Sequence, residues 1–241
     1  MTVTRNILLV LASFILWACD TAAPAVAPDA PVDVGPEDFA VQRCAKVEEG
    51  VPCLIVQAGG KTLLFGAPER ATDSLRVIGV AQPDAVFVSS LDPDSLHGVA
   101  RLRTETWRRG RNQPLSLVGP DGTVAFASGL DLAYARSDAL MYLRDRPAST
   151  FDSVLLAPAE VQPGAEGVVF DTGDLRVDGL ASATSEVTYV VRYGGLALQI
   201  SPCSGAVRTV AGLLIAHEMS CPMQTQDQAW PSPRPVLVLG Q

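Results

Sequence analysis

The chain has 241 residues and a formal net charge of −8, from 18 Lys and Arg against 26 Asp and Glu. An acidic balance of this size argues against broad contact with a phosphate backbone, so no nucleic-acid partner is expected. Hydrophobic residues make up 48% of the chain, enough for one sizeable buried core.

The amino terminus reads as an export signal. Arg5 followed by Ile7 to Ala18 is a charged region and an apolar stretch too short to span a bilayer as a helix. It ends in Leu16-Trp17-Ala18-Cys19, which resembles a bacterial lipobox, the sequence cleaved before a Cys that is then lipid-modified. Trp17 is unusual at its position, and an ordinary secretory signal with an incidental Cys is the alternative. Residues 1–18 are thus expected to be a lipoprotein signal peptide, with Cys19 the lipidated residue through whose acyl chains the protein attaches to the membrane. Asp20 after it resembles an inner-membrane retention signal, a rule that does not hold in all bacteria. The expected location is the cell envelope, on either membrane, facing the periplasm. Residues 19–37 are mostly Ala, Pro, Val and Asp without periodicity and read as an extended tether. Residues 38–241 form the domain.

Cysteine use fits an oxidising compartment. Apart from Cys19 there are Cys44, Cys53, Cys203 and Cys221, an even number. Cys44 and Cys53 flank the turn Glu48-Glu49-Gly50, so a hairpin would bring them face to face, and Cys203 and Cys221 would then pair by elimination. Other connectivities stay open. No pair has the Cys-x-x-Cys spacing of a zinc site.

Within the domain, Phe39 to Cys44 and Val51 to Gln57 read as strands, and Gly59-Gly60 turns the chain into a third, Thr62 to Phe65. Arg70 to Val77 supplies a short helix. Ala85 to Val88 is a continuous apolar run, as expected of a strand buried on both faces. It leaves through the polar elbow Ser89-Ser90-Leu91-Asp92 into a helix beginning at Pro93, where a missing N–H is harmless. Asp92 is a good N-cap, and Asp94 places negative charge where the helix dipole favours it. Leu96, Val99 and Ala100 form that helix's core face. Its other side carries Arg101, Arg103, Arg108 and Arg109, with Arg111 beyond, read as a solvated face or as an anion site for groups such as phospholipid heads. Pro114 to Val118 is a strand ending at Gly119-Pro120, followed by a helix through Phe126, Leu130 and Tyr134. Strands are expected at Phe151 to Leu156, Val168 to Phe170, Leu175 to Leu180, Val187 to Tyr193 and Leu196 to Ile200.

This order resembles the metallo-β-lactamase superfamily, especially its ribonuclease Z-like branch. That branch carries a strand followed by Thr-His-x-His-x-Asp-His-x-x-Gly-Leu. Ser89 takes the Thr, Gly98 the Gly and Val99 the Leu. Ser90, Asp92 and Ser95 stand where His is expected, and of these ligand positions only Asp94 keeps its residue. The family's Leu-Leu-Asp-x-Gly is Leu64-Phe65-Gly66-Ala67-Pro68 here, without the Asp or the Gly. Gly119-Pro120-Asp121-Gly122-Thr123 matches its Gly-Pro-x-Gly-Thr closely. Thr184 or Ser185 falls at a loop His, Cys203 or Pro202 at the bridging Asp, and Gln241 at the last ligand His. His217-Glu218 match a family segment whose His is not usually a ligand. The resemblance implies an α/β fold, a four-layer αββα sandwich of two mixed β-sheets with helices outside.

Two-metal hydrolysis needs imidazoles and bridging carboxylates. The chain has two His, His97 and His217, so zinc is expected to be lost and no cofactor is expected. Asp92 and Asp94 could hold a hard cation weakly, or they simply start the helix. There is no Gly-x-Ser-x-Gly elbow and no nucleotide-binding loop. A Ser–His pair from Ser90 and His97 is disfavoured because His97 should face away along the helix. The expected function is a membrane-tethered, non-catalytic domain that binds or scaffolds a protein or small molecule. The alternative is a divergent metal-dependent hydrolase, of phosphodiesterase or ribonuclease Z type, using Asp92 and Asp94.

Overall fold

In a computed structural model, residues 34–44, 51, 53–184 and 186–202 are described in full, and the strands Leu213–Met219 and Val236–Leu239 by their backbone. The leader, most of the tether, Cys19, Ser185, Cys203, Cys221 and Gln241 lie outside the described residues.

The strands run in chain order as β1 (Phe39–Arg43), β2 (Leu54–Ala58), β3 (Lys61–Phe65), β4 (Ala85–Phe87), β5 (Leu115–Pro120) and β6 (Leu156–Val161). They continue as β7 (Glu166–Asp171), β8 (Arg176–Ala181), β9 (Val187–Tyr193), β10 (Leu196–Pro202), β11 (Leu213–Met219) and β12 (Val236–Leu239). The first sheet has the order β12-β1-β2-β3-β4-β5-β6 and the second β11-β10-β9-β8-β7. Both are mixed. In the first, β12, β1, β2 and β3 pair antiparallel and β3 to β6 parallel. In the second, β7 to β10 are antiparallel and β11 joins β10 parallel.

Local chemistry sets these pairings. The β2–β3 hairpin turns through Gly59 and Gly60, at φ +56° and +69°. Two successive positive φ values define the turn whose twist suits a hairpin, and glycine adopts them without a Cβ clash. A disulfide joins Cys44 to Cys53 beside the β1–β2 pairing, with the Cα atoms 5.4 Å apart. The parallel strands need crossovers, and helices supply them. These are α1 (Ala71–Val77), α2 (Pro93–Leu96), α3 (Val99–Arg108) and α4 (Thr123–Asp145).

Strand alternation divides the core in two. Val56, Leu63, Phe65, Phe87 and Val118 meet Val177, Tyr189, Val191, Leu198 and Ile200 between the sheets. On the other face of the first sheet, Ile55, Leu64, Val86 and Leu117 pack against Leu75, Leu96, Val99, Leu102 and Ala127 of the helices. Each fully buried Leu, Val or Phe of these layers contributes about 1.5–3 kcal/mol relative to exposure. The two mixed sheets lie face to face with helices outside, as the sequence implies. All four helices among the described residues cover the first sheet.

Several element-level expectations are corrected. The helix from Pro93 is two helices, interrupted at His97-Gly98 where the chain passes against the Ala67-Pro68 loop. Phe151 to Leu155 is not a strand. A 3₁₀ turn at Asp152–Val154 precedes β6, which starts at Leu156. An apolar run alone does not separate these cases.

The arginines of α3 are not one solvated face. Arg103 is completely buried, its Nε donating to Asp131 Oδ1 at 2.6 Å and an Nη donating to Asp138 Oδ2 at 2.5 Å. Arg111 is buried too and donates to the carbonyls of Gln113, Ser153 and Arg103. Burial, with the nearby Arg103 charge, pushes its guanidinium down to about 10. Arg101 and Arg109 remain at the surface, paired with Asp73 and Glu105. Cationic side chains buried this way need acidic or carbonyl partners. Those of Arg103 come from α4, distant in sequence, and those of Arg111 partly from nearby carbonyls and partly from Ser153.

Candidate functional site

The parallel strands bring their carboxyl ends to one edge of the first sheet. Gly66 after β3, Val88 after β4 and Gly119 within β5 lie there side by side, linked by Gly66 N–H to Phe87 C=O at 2.7 Å and Val88 N–H to Val118 C=O at 2.9 Å. Such an edge is where ligands bind in open parallel sheets. The second sheet reaches the same edge at the start of β9, where Val187 N–H donates to the Ser89 carbonyl at 2.8 Å.

The elbow is a small network of hydroxyls and one carboxylate. Ser90 Oγ donates to Asp92 Oδ2 at 2.9 Å and lies 3.4 Å from Ser95 Oγ. Asp92 N–H donates back to Ser90 Oγ at 3.3 Å. Asp92 occupies the N-cap position of α2 in an extended conformation, but its side chain makes no cap bond. Its carboxylate takes the Ser90 hydroxyl instead, which corrects the capping role expected for it. Asp94 is exposed in the first turn of α2 and has no side-chain hydrogen bond or ion pair among the described residues. Ser95 is buried, and its carbonyl accepts the Ala67 N–H at 2.9 Å. Ser89 is also buried, with an Oγ that has no hydrogen-bond partner among the described residues.

Ser90, Asp92 and Ser95 are therefore brought together. Thr184 belongs to the exposed turn that opens β9, and its hydroxyl bonds Ser182 Oγ at 2.8 Å rather than the elbow. His97 is exposed at the end of α2, and Ser90 bonds a carboxylate rather than an imidazole. That arrangement is not a Ser–His nucleophile pair, which requires the base on the hydroxyl.

Beneath the elbow stands an aromatic floor. Phe65 and Phe87 stack at 4.8 Å between ring centroids, and Tyr189 meets both edge-on. The Tyr189 hydroxyl donates to Val88 C=O at 2.8 Å and lies 3.3 Å from Val118 C=O. Burial pushes its phenol well above the ordinary tyrosine range. At the edge's far side, Glu160 Oε1 accepts N–H bonds from Gly122 at 3.0 Å and Val124 at 2.7 Å. A carboxylate of β6 thus fills the amino terminus of α4, where an anion would otherwise be welcome. The sequence pattern gave no signal for Tyr189 or Glu160, because each acts through a contact with a residue far along the chain.

The donor set of the elbow does not suit zinc, which the fold family implies. The elbow supplies hydroxyls already bonded to one another, one carboxylate engaged by Ser90, and one exposed carboxylate. Among the described residues no group of three or more His, Cys, Asp or Glu is placed to hold a metal ion. Zinc sites of this class draw on imidazoles and carboxylates converging on one point, and these residues do not fit.

Fold and edge together define a metallo-β-lactamase fold. No protein-family model matches the chain, and no curated protein sequence matches it significantly. Among solved structures it is similar to the short form of human tRNase Z, with TM-score 0.51 and 17% identity over 70% of this chain and 71% of that one. It is also similar to the metallo-β-lactamase fold protein YhfI from Bacillus subtilis, with TM-score 0.46 and 14% identity over 68% and 62% of the two chains. A third, zinc-bound PqqB from Methylobacterium extorquens, gives TM-score 0.44 and 17% identity over 71% and 64%. The chain spans less than two thirds of the length of these last two.

Proposed function

We propose that this protein is a non-catalytic binding or scaffold domain on a metallo-β-lactamase fold, tethered through a lipidated Cys19 to a membrane of the bacterial cell envelope. The observation that carries the non-catalytic reading is the Ser90–Asp92–Ser95 network. Hydroxyls occupy positions where the fold's chemistry requires imidazoles, and they are bonded to each other. The carboxylate of the elbow, Asp92, accepts the hydrogen bond of the Ser90 hydroxyl, which makes it a structural acceptor rather than half of a metal site. The lipoprotein reading rests on Leu16 to Cys19 and on the Ala- and Pro-rich stretch after it.

The measurement is elemental analysis of the natively purified chain, together with phosphodiesterase and lactamase assays. Far less than one zinc per chain and no turnover are expected. One or two zinc ions per chain with turnover would overturn the reading in favour of a divergent hydrolase, and Asp94→Ala would then abolish activity without changing the melting temperature. Mass spectrometry of the mature amino terminus checks the anchor: a diacylated or triacylated Cys19 is expected, and an unmodified terminus would remove it.

A further inference from the structure

Helix α4 is amphipathic in the reverse of the usual sense. An ordinary surface helix turns leucines inward and charges outward. Here the charges Asp131 and Asp138 turn inward to the buried Arg103, while Leu132, Leu140 and Leu143 are 78%, 60% and 71% exposed. At about 100° per residue those leucines fall within an arc of roughly 80°. Ala125, Gly129, Ala133 and Ala139, all exposed, share that side, and a Cβ placed on Gly129 would meet nothing within 4 Å. The ion pairs with Arg103 fix the helix's rotation, so the apolar face is held outward by the core.

We propose that this face of α4 is a docking surface for an anionic lipid bilayer. Arg136 lies on the same face and makes no ion pair among the described residues. Arg144 and Arg108 share the single carboxylate of Asp145, and Arg146 follows at the helix end. In a chain of net charge −8 this is a local surplus of cations around apolar side chains. Leucines flanked by arginines are what an interfacial helix presents to anionic headgroups, and an arginine can lay its stem along the apolar surface while its head reaches a phosphate. A second copy of the chain fits less well, since a two-fold contact along the middle of the face sets Arg136 against its own copy. No helix among the described residues is long and apolar enough to cross a membrane, so the face lies on a bilayer rather than in it.

This inference rests on the anchor proposed above, and the reach is sufficient. From β1, where the tether ends, to β6 beneath α4 is five strand spacings, about 24 Å at ~4.8 Å each. The last residues of the tether form a turn at Gly35 to Asp38 held against Gly60, and the stretch from 19 to 34 before it can extend to about 50 Å at ~3.3 Å per residue. The acyl chains hold the protein at the membrane; α4 sets which way it faces.

The test uses the mature lipidated chain carrying Leu140→Cys, labelled with a membrane-impermeant maleimide in detergent, on phosphatidylcholine vesicles and on vesicles rich in phosphatidylglycerol. Asp174→Cys is the control at an exposed loop of the second sheet, and the unsubstituted chain gives the native thiol background. Labelling of Leu140→Cys is expected to slow about tenfold on the anionic vesicles alone, with Asp174→Cys unchanged. Adding Leu132→Ser and Leu143→Ser should restore the rate without lowering the melting temperature. Equal labelling on all surfaces overturns the proposal, and so does disulfide-linked Leu140→Cys dimer in detergent, which would make the occupant a second copy. Vesicle flotation reads the anchor separately. If the chain does not float but excess anionic vesicles still protect Leu140→Cys, the anchor fails and the docking face stands.

Discussion

The Tyr189 hydroxyl donates across the sheet interface to the Val88 carbonyl at 2.8 Å, tying β9 to the residue that enters the elbow. Val88 stands at the carboxyl end of a parallel strand, where its carbonyl has left the ladder and lacks solvent. The Val118 carbonyl beside it is 3.3 Å from the same hydroxyl. One phenol thus serves two buried acceptors from neighbouring strands. Tyr189→Phe keeps the ring among Phe65 and Phe87 but takes the hydroxyl donor from the Val88 carbonyl, while the Val118 carbonyl keeps the Val88 N–H, and should cost about 1–3 kcal/mol by urea denaturation. An unchanged midpoint would mean the Val88 carbonyl finds another donor.

The same residue predicts a pH dependence. Burial raises the Tyr189 pKa above its ordinary value of 10.0, so above that pH the unfolded chain loses a proton that the native chain keeps. The unfolded state then binds fewer protons, and stability falls as pH rises. The contribution is fully present below about pH 10 and declines by about 1.4 kcal/mol per pH unit above it, up to the raised folded value. Denaturant midpoints between neutral and strongly alkaline pH should therefore drop more steeply for the wild type than for Tyr189→Phe. Parallel curves would show that the phenol ionises without opening the sheets.

Two glycines should respond oppositely to alanine. Gly98 sits at the break between α2 and α3, and a Cβ there would overlap the Pro68 carbonyl oxygen and crowd Ala67. The Gly98 N–H is also bonded to the Ala67 carbonyl at 2.8 Å. Both neighbours are backbone and cannot step aside singly. Gly98→Ala should destabilise by about 1–3 kcal/mol or more and disturb the Ser95–Ala67 contact. Gly129, in the open middle of α4, should gain about 0.5–1 kcal/mol as alanine. Thermal melts of the two variants read both signs.

What the sequence disclosed follows a physical division. Ala85 to Val88, Val187 to Tyr193 and the Gly59-Gly60 turn were legible because buried strands and tight turns are written in contiguous residues. So was the Cys44–Cys53 pairing, carried by a short hairpin. The elbow's position was legible, but its bonding was not. Ser90 and Asp92 offer several local partners, and only the fold puts Ser95 within reach of Ser90. Arg103 is the clearest case of what stayed hidden. It lies among other arginines on α3, and nothing local marks it as buried. Its partners Asp131 and Asp138 come about thirty positions later, on a helix whose outward leucines make the periodicity point the wrong way.

That buried cluster supplies the last prediction. Arg103 holds Asp131 and Asp138 at once, and the other Asp131 oxygen accepts the Leu156 N–H at 3.1 Å, at the first residue of β6. One guanidinium therefore fastens α3, α4 and the start of the edge strand. Removing it leaves two carboxylates with a buried side and no counter-charge, so Arg103→Ala should cost about 3–5 kcal/mol. Much of that loss belongs to the stranded acids rather than to the bonds themselves. Asp138→Asn should therefore recover part of it when added to Arg103→Ala, although it destabilises the protein when made alone. A denaturation cycle over the wild type, both single variants and the double variant measures this coupling. Strict additivity would mean that Asp138 is neutral or solvated once Arg103 is gone, and that α4 is held by its apolar contacts instead.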